Sequence, residues 1–129
     1  MTKYEELIAE YENDLIIEER PIRNDGLYAD NVIWIKKDSP AAKKYCILAE
    51  EIGHYTTTTG DILDQTTLDN QKQELKARRW AYEKILPIQA IISAIQNGCY
   101  EVWEMAEYLD VDEPFLIEAL KHYGILDIA

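Results

Sequence analysis

Leu48-Ala49-Glu50-Glu51-Ile52-Gly53-His54-Tyr55-Thr56-Thr57 is the stretch that decides how the rest of the chain is read. It stands one residue away from H-E-x-x-H, in which two histidines one helical turn apart bind zinc and the glutamate acts as general base. Glu50 occupies the first histidine position, while Glu51 and His54 hold theirs. At about 100° per residue, Glu50 and His54 fall on one face of a helix, roughly opposite an apolar stripe of Ala41, Tyr45, Leu48, Ile52 and Tyr55. Side chains four apart on one face can chelate one ion. Glu51, one residue's rotation away, lies where a base beside the metal belongs. The plain alternative is that Lys43, Lys44, Glu50, Glu51 and His54 form the solvated face of an amphipathic helix.

A second helix bears on that choice. The pattern predicts it from about Asp69 to Leu86, stopped or kinked by Pro87, with Ala77, Ala81 and Ile85 facing inward. Glu74 continues this line one turn earlier. A carboxylate on an apolar stripe is costly unless it is paired or bound to a cation. Glu74 is therefore either the partner of Arg78, four residues on, or a third metal ligand delivered from a second helix.

Working outward, residues 3–13 have helical spacing. Leu15–Ile22 opens with a β-branched run that suits a strand. Asn24-Asp25-Gly26 is a turn signal, and residues 27–29 and 32–35 about Asp30-Asn31 read as a hairpin that completes a small sheet. Ser39 is expected to cap the helix that ends near Thr57, with Pro40 at its first position. A polar connection over Thr56–Thr67 contains Gly60-Asp61. Ile88–Asn97 continues helical and closes at Gly98. Two helices follow, Tyr100–Leu109 and about Glu113–Tyr123, with Asp112 as cap and Gly124 as stop. The fold class is α+β, a small N-terminal β-sheet followed by a helical body.

The 129 residues suit one domain with a single core, at 47% hydrophobic and 29% charged. Cys46 and Cys99 read as free, buried thiols of a reducing compartment, so a cytoplasmic location is expected. No apolar run approaches the roughly 20 residues of a membrane span. The start, MTKYEELIAEYEND, does not resemble a secretory signal. A net charge of −12, from 25 acids and 13 bases, argues against direct DNA binding and favours cations and basic protein segments.

Taken together, Glu50-Glu51-Ile52-Gly53-His54-Tyr55, Gly60-Asp61-Ile62 and Glu74-x-x-Ala77-x-x-Trp80-Ala81, with Leu86-Pro87 beyond, resemble the ImmA/IrrE metallo-endopeptidases. These are small cytoplasmic zincins of phages and integrative elements. The match covers roughly residues 15–90, and the helices beyond it also suit the family. The resemblance implies a single zincin-like domain over residues 1–129, with a metal-site core of about 15–90 and a C-terminal helical part of about 88–129. It implies a metal-dependent endopeptidase that cleaves or inactivates a helix-turn-helix repressor of a phage or mobile element. The alternative is a weakened or inactive antirepressor that acts by binding. Carried over by position, Glu51 is the general base, and Glu50, His54 and Glu74 are the metal ligands.

A carboxylate at position 50 keeps zinc feasible, and a set of two carboxylates and one histidine also suits manganese or iron. The extra negative charge would make a bound water less acidic. Asp61 is a candidate for orienting His54, or it caps a turn. His122 and Tyr123 either sit at a helix end or fold back to donate to a reaction oxyanion. Trp34, Trp80 and Trp103 are expected in the core. Residues 102–116 have the spacing of a helix-turn-helix, but an acidic recognition helix suits protein docking better than DNA.

Overall fold

The structure is a computed structural model and describes residues 1–58 and 67–125. Its elements are helix α1 (Lys3–Tyr11), strands β1 (Ile16–Arg20), β2 (Gly26–Ala29) and β3 (Val32–Lys36), then helices α2 (Ala41–Thr57), α3 (Thr67–Ile85), α4 (Ile88–Gln96), α5 (Val102–Leu109) and α6 (Glu113–His122). The expected α+β class is borne out, and the element boundaries fall within a few residues of those read from the sequence.

The three strands form one sheet in the order β1-β3-β2, with β1 parallel and β2 antiparallel to β3. The β2–β3 hairpin turns on Asp30 and Asn31, both with positive φ (49° and 64°). That is the backbone of a two-residue type I′ turn, which Asp and Asn tolerate better than other side chains. Alternation along central β3 then sorts its residues. Ile33 and Ile35 are fully buried against the helices, whereas Trp34 points to the opposite face and is 38% exposed. The Arg20 guanidinium lies over its ring at 5.7 Å. Among the described residues helices cover one side of the sheet only, which is why Trp34 is not the core residue expected. Trp103, on the outer side of α5, is 58% exposed and corrects the same expectation, while Trp80 is half-buried.

Helix α2 is the spine of the molecule. Ala41, at the start of the expected stripe, is exposed, and burial spreads instead across Cys46, Ile47, Leu48, Ala49, Ile52 and Gly53. The sheet, α1 and α3 all pack on it. Glu50, Glu51 and His54 are consequently half-buried rather than a solvated face. Its start departs from expectation too. Pro40 is the N-cap, and no side chain caps the helix, so Ser39 does not serve.

Near the end of α2, Tyr55 meets Tyr28 of β2 and Tyr11 of α1 edge-on at 6.1 and 6.4 Å, and Tyr11 meets Trp80 of α3 at 6.5 Å. These contacts, favourable in edge-to-face geometry, fix four elements around the segment that carries His54. The terminal helices add a second part of the core, with Ile91, Met105, Leu109, Phe115 and Leu116 buried. Gly98 (φ 88°) and Gly124 (φ 70°) follow α4 and α6 as expected. Cys46 is buried and Cys99 half-buried, both unbridged. The backbone N–H of Asp112 donates to Cys46 Sγ at 3.5 Å, tying the start of α6 to α2.

Candidate active site

The site begins with how closely α2 and α3 approach. A Cβ built on Gly53 would lie 2.4 Å from the Ala77 carbonyl oxygen. Only glycine permits that spacing, which outweighs the roughly 1 kcal/mol a mid-helix glycine costs relative to alanine. Sequence reading used Gly53 only as a motif letter. The signal available was a glycine on the buried side of α2 and two alanines, Ala77 and Ala81, on the buried side of α3.

The close approach sets matching positions of the two helices opposite each other. His54 faces Glu74, with Nε2 and Oε2 3.0 Å apart. One turn back on α2 and one turn on along α3, Glu50 and Arg78 line a common cleft. Glu74 therefore pairs with His54, and the pairing with Arg78 that sequence spacing offered is not formed.

Glu51 stands between two clefts. The larger, about 740 Å³, is bounded by Leu27–Asn31 of β2 and its turn, and by Glu51, His54, Thr58, Gln73 and Glu74. The smaller, about 280 Å³, is bounded by Gly26, Glu50, Glu51, Arg78, Tyr82 and Phe115, among others. A Cβ on Gly26 would lie 2.8 Å from a Glu51 carboxylate oxygen, so the start of β2 closes over this carboxyl because the strand has no side chain there.

Electrostatics follow from that enclosure. Burial, with the nearby charges of Glu74 and Glu50, pushes the Glu51 carboxyl up to about 7. Burial also raises the Glu50 carboxyl. The Arg78 charge opposes that rise, and Glu74 and Asp25 add to it. Two half-buried glutamates side by side thus differ, for the Arg78 charge acts on Glu50, whereas the charges acting on Glu51 are those of two carboxylates.

Zinc in a catalytic site takes three protein ligands and keeps one position open. The structure brings two of the expected ligands together, His54 and Glu74. Glu50 lines the smaller cleft with Arg78, close enough to Glu74 for the two carboxylates to act on each other. Among the described residues no three His, Cys, Asp or Glu side chains converge on one point. His54 and Glu74 are the donor pair that the described residues bring within 3.0 Å of each other.

Asp61 lies outside the described residues. His122 packs beside Tyr82 and Tyr123, with ring centres 5.6 and 5.0 Å away, and its Nε2 is 3.6 Å from Glu83. The Tyr123 hydroxyl donates to the Leu86 carbonyl at 2.9 Å and so ties α6 to the end of α3. Neither residue lines the two clefts. Their contacts are those of the helix-end alternative.

A family model described as the IrrE N-terminal-like domain, a peptidase family, matches residues 5–121. No curated protein and no solved structure matches the chain.

Proposed function

We propose, from the premise that this chain belongs to the IrrE N-terminal-like domain family of peptidases, that it inactivates a helix-turn-helix repressor of a phage or mobile genetic element by hydrolysing a peptide bond. Membership supports a metallopeptidase-like or antirepressor role. The finer reading rests on one observation, the Glu51 carboxyl held near 7 in the wall of the cleft that also holds His54 and Glu74. A general base is most effective when its pKa lies near the working pH.

In this reading a segment of the repressor lies in the larger cleft, along β2. Glu51 takes a proton from the attacking water and returns it to the leaving amine. His54 and Glu74 are the residues that would hold a divalent ion, zinc by family habit. Zinc in such a site makes water acidic and polarises a carbonyl. The reaction would belong to the cytoplasm, where such a repressor works.

The purified chain incubated with the repressor of its own element tests this. Glu51→Gln should lower the cleavage rate by about 10²–10⁴-fold while leaving the circular dichroism spectrum unchanged. Cleavage undiminished in Glu51→Gln, or after exhaustive chelation, overturns the reading. A second reading, sequestration of the repressor without cleavage, is favoured by the side of α2 that Glu50 takes. It expects Glu51→Gln to relieve repression in a reporter strain as well as the parent chain does.

A further inference from the structure

We infer that the outer face of α5, with the adjoining edge of α4, is a docking surface for a basic amphipathic helix of another protein. Both helices are apolar on two sides. Met105, Ala106 and Leu109 of α5 and Ile91 and Ala94 of α4 are buried in the core. On the outside of α5, Trp103 is 58% and Tyr108 48% exposed. Helical geometry places Trp103, Glu104, Glu107 and Tyr108 within an arc of about 140°. The Asn97 side-chain amide of the α4 C-cap donates to the Tyr108 hydroxyl at 3.1 Å, so the two helices present one joined surface. Trp103 and Tyr108 thus flank Glu104 and Glu107, a mixed aromatic and acidic face of the kind that a cationic partner fits.

Charge says what can cover it. Twelve of the thirteen Lys and Arg residues precede Ile85. From Ile85 to Leu120 there is no Lys, Arg or His, against seven acids: Glu101, Glu104, Glu107, Asp110, Asp112, Glu113 and Glu118. The first four lie on α5 or at its ends. A second copy would bring like charges together, and a nucleic acid or an anionic lipid surface would be repelled. A helix with lysines or arginines beside an apolar stripe has neither conflict. Its cations meet Glu104 and Glu107 and the faces of the Trp103 and Tyr108 rings on either side of them, and its apolar stripe covers the exposed parts of those rings. None of these aromatic residues lines the clefts beside Glu51, so the surface stands whether or not the chain is hydrolytic.

The test uses the full chain, ¹⁵N-labelled, titrated at low salt with a synthetic helical peptide carrying leucines at i, i+3, i+4 and i+7 and lysines elsewhere. Amide shifts should cluster in residues 92–108. Trp103→Ala and Glu107→Lys should each weaken binding about tenfold with the melting temperature unchanged, since both side chains are exposed. A glutamate version of the peptide should not bind. Shifts centred on the His54–Glu74 cleft, an unchanged Kd in both variants, or self-association through α5 would each overturn the inference.

Discussion

Helices α2 and α6 treat their glutamates in opposite ways. On α6, Glu113 and Glu118 are exposed while Phe115, Leu116, Ala119 and Leu120 fill the core. This is the usual division of an amphipathic helix. On α2, Glu50 and Glu51 are half-buried between buried Ala49 and Ile52, and burial raises both carboxyls. Helix α6 is arranged for stability. The α2–α3 junction keeps costly groups where a merely structural helix would have placed apolar ones. Such local violations of sequence–structure consistency gather at functional sites.

Three substitutions would break or sharpen this contrast. Leu116→Ala should have the largest effect. The side chain is fully buried in the C-terminal part of the core, and its loss should cost about 3–4 kcal/mol, read from urea unfolding. Gly53→Ala comes next, because a methyl group has no room against the Ala77 carbonyl. Forcing the helices apart should cost about 2–3 kcal/mol and should also separate His54 from Glu74. The Glu74 side chain is 47% exposed, so the loss of that contact alone would be small. An unchanged melting temperature for Gly53→Ala would show that α2 and α3 do not depend on their close approach.

The smallest effect has the opposite sign. A carboxyl raised on folding binds more protons in the native than in the unfolded state, so stability falls as pH rises. For Glu51 the window runs from the ordinary value of 4.5 to about 7. Chelator-treated protein should lose about 2 kcal/mol across that window, the full shift being discounted for the open cleft. Glu51→Gln should reduce the slope to the part that Glu50 contributes and be the more stable protein at pH 8. A parent chain with a flat profile over that window would show that Glu51 is solvated after all.

Much of this was legible in the sequence because it depends on neighbours along the chain. Asp30-Asn31 between two apolar runs gives the hairpin, as positive φ is least costly at such residues. Gly98 and Gly124 end helices for the same reason. The inward line of Ala77 and Ala81 follows from helical periodicity, and with it the direction of Glu74. Trp34 shows where such reasoning stops. Alternation tells which residues of β3 share a face, but not which of the two faces the helices pack against.

The residues that carry the family resemblance, the strand-then-helix order and the acidic charge were set by the sequence alone, because each is a matter of residue type and local spacing. Tertiary structure decided the partners. The match of Gly53 to Ala77 sets His54 against Glu74 and leaves Glu50 and Arg78 in a common cleft. Gly26 closes over Glu51 and, with burial and two nearby carboxylates, raises it to about 7. These outcomes depend on how closely two helices and a strand approach, and on how much water that approach excludes, which spacing along one helix does not encode.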